Sequence, residues 1–331
     1  MKYSVALIFG GEGCEHSVSG ISAKNLSTLI DRSKYSLIRV FISEKGEWFI
    51  EYSGSLSPAF PTMMSGVGGL ISEGRFIPID VAIPALHGDL GEDGVIVGAL
   101  RTAHIPFIGC DTASSAVCAD KILTKSVADA LNIPTAKWIF SSEEDPSIAK
   151  ARAERDIGYP MFIKPALLGS SIGISKVRIA EDFCEAYRRA SEKCGRILIE
   201  ECISVRAELE CAYLGADGCD RYAVGAVLSN GRFYDFDEKY GSESLTDTTV
   251  FGIDEEAELT VKGYAALLKE LIGIKGLARL DFFLTDDGKI LFNEINTFPG
   301  MTPTSLYPLL TEKMGYKKGE FINLLISEAL L

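Results

Sequence analysis

The sequence predicts an α/β fold built as three successive units, and three observations predict it. Residues 3–9, Tyr-Ser-Val-Ala-Leu-Ile-Phe, form a β-branched apolar run that ends in Gly10-Gly11, and apolar residues then recur at helical spacing. That is the opening of a doubly wound sheet. Strand-like and helix-like segments keep alternating well past the middle of the chain. Two further apolar strands, within residues 277–296, flank Asp286-Asp287-Gly288 and read as an antiparallel hairpin. With 331 residues, 47% of them apolar, the chain is long enough for several cores. The expected units are 1–112, 113–203 and 204–331.

In the first unit, Val18, Ile21, Asn25, Leu26 and Leu29 mark a helix, followed by strands over 37–42 and 81–86, a helix over 94–102 and a strand over 106–108. Residues 53–74 are rich in Ser, Gly and Pro and read as a surface excursion. In the second unit a helix over 120–131 stops at Asn132-Ile133-Pro134, because proline disfavours helical geometry in the residue before it. A helix over 143–156, strands over 160–164 and 174–177, a helix over 181–193 and a strand over 196–200 follow. The third unit carries strands at 211–214 and 222–228, a helix over 254–271, the hairpin, and helices around 308–314 and 320–330. No internal repeat is present.

Composition excludes whole classes of function. Lys and Arg number 33 against 46 Asp and Glu, a net charge of −13. Such a field repels nucleic-acid backbones and anionic lipid, while leaving room for one phosphate ligand held by a few placed lysines. Eight cysteines without a Cys-x-x-Cys pair, and only three histidines, argue against zinc, haem and iron–sulfur sites. The apolar run after Lys2 is too short for a secretion signal, and no run approaches the ~20 residues of a spanning helix. The expected location is the reducing cytoplasm, with thiols that serve packing.

The hairpin is the most informative stretch. A two-residue loop at Asp287-Gly288 makes Asp286 face Lys289, Asp281 face Glu294 and Arg279 face Asn296, the last four on one side of the sheet. Leu280, Phe282, Leu284, Leu291 and Ile295 fall on the opposite, core-facing side. Two bare carboxylates with Cβ atoms about 5 Å apart repel each other. A hard divalent cation such as Mg²⁺ removes that repulsion and takes oxygen ligands. The alternative is a solvated strand face that carries acids by chance, and a three-residue loop would break the register.

Residues 164–173, Lys-Pro-Ala-Leu-Leu-Gly-Ser-Ser-Ile-Gly, join two strands through a small hydroxyl-bearing loop that suits a polyphosphate. It is not a Walker A loop, since no lysine follows Gly173, and His16 stands where a dinucleotide fingerprint needs its third glycine. Taken alone, either glycine loop reads better as a plain turn. Lys164 at its strand end, Lys121 in a helix and the acids downstream move the second loop towards phosphate. Glu200-Glu201-Cys202-Ile203 ends a strand between the second and third units, where backbone can bond an adenine edge or simply link domains.

Together these residues resemble the D-alanine–D-alanine ligases of the ATP-grasp superfamily, over nearly the whole chain. The pieces are Gly10-Gly11, Glu15 and Val18-Ser19; Leu86-His87-Gly88 with Gly91-Glu92-Asp93-Gly94; Lys164-Pro165 with Gly169-Ser170-Ser171 and Gly173; Phe233-Tyr234-Asp235 with Lys239-Tyr240; Arg279 and Asp281; and Glu294, Asn296-Thr297 and Pro299-Gly300-Met301-Thr302. The resemblance implies a Rossmann-like (pre-ATP-grasp) N-terminal domain, a small central α+β domain and a C-terminal α+β domain with the metal site. It implies that ATP phosphorylates one D-alanine and that the amine of a second displaces phosphate from the acyl phosphate. By the same resemblance Lys121, Lys164 and the Ser171 loop hold the nucleotide phosphates, and Glu200, Ile203 and Glu208 frame adenine and ribose. Asp281, Glu294 and Asn296 carry two Mg²⁺ ions, with Mn²⁺ as a substitute. Glu15 grips the first substrate's ammonium, Ser170 and Tyr240 orient it, and His87 stands beside it. Arg279 and the Gly300 N–H stabilise the oxyanion, while Lys239, Ser305 and the Leu306 backbone receive the second carboxylate. Family members are commonly cytoplasmic homodimers that serve peptidoglycan synthesis, with no nucleic-acid or membrane partner.

Retention of Tyr240, and Leu306 where resistance-type ligases carry Arg, favour D-alanine over D-lactate or D-serine as second substrate. The chain departs from many relatives at Val97, Cys202 and Thr304, and an extra residue within 205–207 displaces Glu208. A D-Ala–D-Ser ligase is the nearest alternative. A non-catalytic sensor predicts a lost lysine or metal ligand, and none is lost. A dinucleotide oxidoreductase lacks its fingerprint.

Overall fold

A computed structural model describes residues 2–142, 145–169, 172–227 and 253–331. In the first of its three sheets, β1 (Tyr3–Gly10) has β2 (Tyr35–Ile42) and β7 (Val81–Pro84) parallel to it on either side. Helix α1 (His16–Leu29) crosses from β1 to β2, and α2 (Val95–Thr102) follows β7. Val5, Ala6, Leu7, Ile8 and Phe9 are all buried, as a strand covered on both faces requires. Gly10 ends it at φ +97°, where a Cβ would lie 2.1 Å from the Ile42 carbonyl oxygen, so only glycine turns the chain here.

The excursion expected over 53–74 is regular structure. β3 (Trp48–Tyr52), β4 (Ser55–Met64), β5 (Val67–Ser72) and β6 (Arg75–Pro78) extend the sheet antiparallel, in the order β6-β5-β4-β3-β2-β1-β7. The glycines and serines that read as loop are compressed into two-residue turns. Ser53-Gly54, Ser65-Gly66 and Glu73-Gly74 all have positive φ at both positions, the geometry that matches strand twist in a tight hairpin. The strand expected at 106–108 reduces to one parallel bridge between Phe107 and Ala82.

An unanticipated helix, α3 (Thr112–Ala119), precedes α4 (Lys121–Ala130), and Asp111 and Asp120 cap them through bonds to first-turn N–H groups. Helix α5 (Pro146–Asp156) starts later than periodicity indicates, because Asp145 caps it and Pro146 takes its first position. Positions 143–144 lie outside the described residues. β8 (Trp138–Ser142), β9 (Met161–Pro165), β10 (Ser175–Val177) and β11 (Arg196–Glu201) form an antiparallel sheet ordered β10-β9-β11-β8, packed by α6 (Phe183–Ser191).

The third sheet runs β13-β12-β14-β15, from β12 (Val205–Ala216), β13 (Cys219–Val227), β14 (Leu277–Thr285) and β15 (Ile290–Asn296). Alternation along β12 assigns its two faces. Leu209, Cys211 and Tyr213 pack with Val261, Ala265 and Leu268 of α7 (Glu255–Ile272). Ala212 and Leu214 pack with Tyr307 and Leu310 of α8 (Leu306–Lys313) and Phe321 and Leu325 of α9 (Glu320–Ala329). That second core continues into Val5, Leu7 and Leu26, so the first and third sheets share one apolar interior. Asn323 on α9 fastens the junction, donating to the Leu29 carbonyl at 2.9 Å and accepting from the Asp31 N–H at 2.8 Å.

Candidate active site

Asp281 lies opposite Glu294 and Arg279 opposite Asn296 across β14 and β15, as expected, but by a different route. The loop has three residues: Thr285 faces Lys289, Gly288 sits at φ +82°, and the Gly288 N–H donates to the Thr285 carbonyl at 3.0 Å. The resulting slip is reversed by a bulge that leaves Asn293 as an extra residue between Phe292 and Glu294. Core polarity explains the detour. An unbroken ladder would set Asn293 against Phe282 on the buried face; the slip sets Phe292 there, its ring 5.6 Å from that of Phe282. Phe292 and Ile290, not Leu291, therefore join Leu280, Phe282 and Ile295 in this core cluster.

On the polar face Arg279 clamps Asp281 through two bonds of 2.7 Å, and the Asn296 amide donates to the same carboxylate at 3.0 Å. Glu210 on β12 opposes Asp281 from the other side and lies 3.4 Å from Arg279. Glu294 pairs with Lys121 at 3.3 Å. Three acids from three adjacent strands thus stand in a row, interleaved with two cations. Glu210 was not foreseen, since only the pairing of β12 with β14 aligns it. An irregularity between Val205 and Ala207 absorbs the extra residue there, and Glu208 stands two positions from Glu210 on the same strand face.

One cavity of about 640 Å³ is lined by Glu15, His87, Lys121, Gly169, Arg279, Glu294, Asn296, Gly300, Ser305 and Leu306. The Glu15 carboxylate, at the start of α1, is approached closely by glycine: a Cβ on Gly88 would stand 2.3 Å from its Oε2, and one on Gly169 3.5 Å. Ser305 caps α8 in position only. Its hydroxyl oxygen accepts from the Thr302 N–H at 3.0 Å, and the first N–H groups of the helix point beyond it. Lys121 also donates to the Leu168 carbonyl at 2.8 Å, tying α4 to the glycine loop.

Lys164, Glu200, Ile203, Glu208 and Asp281 are not part of that lining. Lys164, at the end of β9, is ion-paired with Glu200 on β11, whose second oxygen lies 3.0 Å from the ammonium of Lys125. Burial alone would raise the Glu200 pKa; Lys125 and Lys164 outweigh it and hold the carboxyl at about 2. Lys125, only 2% exposed, had no signal in the sequence beyond its helical position.

His87 is neutral and fully tied. Its Nδ1–H donates to the Phe298 carbonyl at 3.2 Å, and its Nε2 meets the Ser22 hydroxyl at 2.9 Å, which also accepts from the Met301 N–H. Burial, reinforced by the charge of Arg279, pushes its pKa down to about 4. Glu92 accepts from the N–H groups of Gly88 and Phe298, at 2.9 and 3.3 Å. Enclosure first, and the nearby Glu15 charge second, raise its pKa to about 8. Both residues brace the 297–302 loop against α1 and the segment after β7.

Ser170, Ser171, Lys239 and Tyr240 lie outside the described residues. Asp281, Glu294 and Asn296 offer oxygen donors only, and among the described residues no three His, Cys, Asp or Glu side chains could enclose an ion by themselves. That donor set fits Mg²⁺, which takes few protein ligands and completes its shell with phosphate and water.

Known proteins are similar to this chain over nearly its whole length. Residues 4–110 match the family model described as D-ala D-ala ligase N-terminus, and residues 127–327 that of D-ala D-ala ligase C-terminus. The chain is 36% identical over 354 residues to a D-alanine–D-alanine ligase of Thermoanaerobacter sp. (strain X514), covering 99% of this chain and 96% of that protein. It is 32% identical over 350 residues to the enzyme of that name from Geobacillus thermodenitrificans (strain NG80-2), covering 100% and 96%. Among solved structures, D-alanyl-alanine synthetase A from Vibrio cholerae superposes with a TM-score of 0.89 at 31% identity, covering 99% and 98% of the two chains. The VanG D-Ala:D-Ser ligase from Enterococcus faecalis superposes at 0.88 with 32% identity, covering 99% and 100%.

Proposed function

The chain belongs to the D-alanine–D-alanine ligase family, and from that premise we propose that it joins two D-alanines with ATP, releasing D-alanyl-D-alanine, ADP and phosphate for peptidoglycan precursors. The observation that carries the reading is the opposed pair Asp281 and Glu294, met by Arg279 and Lys121, with Glu294, Arg279 and Lys121 lining one cavity together with Glu15.

An amide does not form from a free carboxylate in water, so one carboxylate is first converted to an acyl phosphate, and the protein contributes position and charge. Lys121 and Lys164 exchange their carboxylate partners for nucleotide phosphate oxygens, while Ser171 and its loop cover the phosphates. Glu200, Ile203 and Glu208 frame adenine and ribose. Asp281, Glu294 and Asn296 would hold two Mg²⁺ ions, or Mn²⁺, which would supply positive charge against the transferring group. Glu15 takes the first ammonium, with Ser170 and Tyr240 orienting it. Arg279 and the Gly300 N–H receive the oxyanion that develops when the second amine attacks, a contribution of about 3 kcal/mol per donor. The second carboxylate goes to Ser305, to Lys239 and to the Leu306 N–H at the start of α8, where the helix dipole favours an anion.

The units 1–112, 113–203 and 204–331 belong to this reading, since each range holds one sheet. A cytoplasmic homodimer belongs to it too. Phe60 (65% exposed) with Ile71, and Met64 with Val67, form an exposed apolar face across β4 and β5 that a second copy would cover. No helix among the described residues is long and apolar enough to cross a membrane.

D-Serine is the second reading for the acceptor, favoured by the close superposition on the VanG structure. Purified protein given ATP, Mg²⁺ and equal D-alanine and D-serine should yield ADP and mainly D-alanyl-D-alanine by mass. Predominance of D-alanyl-D-serine would reassign the acceptor, and neither dipeptide at any pH would refute the ligase reading.

A further inference from the structure

Lys125 is the most enclosed charged side chain among the described residues, at 2% exposure, and the reaction above gives it no part. It projects from α4 onto Glu200 and does not line the cavity. Glu200 sits on β11 with Phe162 of β9 and Trp138 of β8 as its strand partners. Its ion-pair partners among the described residues are Lys125 and Lys164. One buried carboxylate therefore carries two lysines, and one of the two is required elsewhere. When Lys164 turns to a nucleotide phosphate, Glu200 loses that partner, and a buried carboxylate without a counter-ion is strongly disfavoured.

We propose that Lys125 is a positioning residue, the stationary counter-ion of Glu200 that releases Lys164 to the nucleotide. The inference rests on the nucleotide role of Lys164 and Glu200 proposed above. Without Lys125, Lys164 is the sole partner of Glu200, and nucleotide binding must either leave the carboxylate bare or protonate it. Protonation is the easier course in a buried site, so the defect should come with a proton.

The full-length Lys125→Met variant tests this. Its KM for ATP should rise about ten-fold or more, with the KM for D-alanine within about two-fold of wild type. Relative to wild type, the ATP defect should shrink from about pH 8 to about pH 6, and calorimetry in two buffers of different ionisation heat should show extra proton uptake on binding ADP with Mg²⁺. Lys125→Arg, which keeps the charge, should restore the ATP KM. In a Glu200→Gln background, Lys125→Met should add nothing further, and this comparison decides the matter should the single variant fail to fold. Equal loss for both substrates with unchanged proton uptake would reduce Lys125 to a structural residue and overturn the proposal. A Lys164→Met variant with unaltered ATP KM would instead overturn the nucleotide reading, and the inference with it.

Discussion

His87 and Glu92 brace the same loop, yet their charges respond to pH in opposite directions. His87 has its folded pKa lowered to about 4. Its stabilising contribution is thus present above the unfolded value near 6.5 and lost as pH falls from there through about 4. Urea denaturation across that interval should show stability falling by up to about 3 kcal/mol on this account, and the dependence should vanish in His87→Gln. Glu92 has its folded pKa raised to about 8, so its contribution is complete below the ordinary carboxylate value and lost as pH rises through about 8. Glu92→Gln should therefore lose less melting temperature than wild type between about pH 5 and about pH 8; a parallel decline in both proteins would refute this. Glu294→Gln should remain folded and lose turnover, because one of the two opposed acids can no longer attract a cation. Near-normal ADP release from that variant would overturn the metal assignment.

At the scale of elements, the hairpin shows how a correct contact can be reached through an incorrect loop. The Asp281–Glu294 pairing was legible because the Asp-Gly turn and strand alternation are local signals. The bulge was not, because it answers to Phe282, Tyr264 and the rest of the core beneath α7, which no local pattern reports. Phe292→Ala should destabilise the protein by about 3–5 kcal/mol in chemical denaturation. Phe283→Ala, on the half-buried opposite face, should cost clearly less; equal losses would contradict the slipped register. β3 to β6 were missed for a related reason: in a dense Ser-Gly stretch the tight turns resemble loop composition until the strands between them are paired. Helix α3, built from small polar residues, offers little periodicity, and its Asp111 cap is visible only in retrospect. Glu210 and Lys125 acquire their roles from tertiary alignment alone, so no spacing rule could have selected them.

At the scale of the molecule, the cavity gathers residues from the first strand–helix turn to the segment before α8, and the core shared by the first and third sheets holds those ends in place. The exposed face of β4 and β5 lies on the extension of the first sheet. Phe60→Asp should therefore convert the proposed dimer to monomer in sedimentation while the ligase reaction persists; a dimer that survives would place the interface elsewhere. The ion pairs of the site also carry a selectivity of their own. Lys121 rests on Glu294, Lys164 on Glu200 and Arg279 on Asp281 and Glu210. At Lys121 or Arg279, free inorganic phosphate, abundant in any cell, would have to pull the cation from its acid and take that partner away from Glu294 or from Asp281 and Glu210. A metal–nucleotide complex brings both signs of charge and re-partners each group it separates. The protein is in this way insulated from the commonest competitor for its own lysines, and millimolar phosphate should inhibit it only weakly.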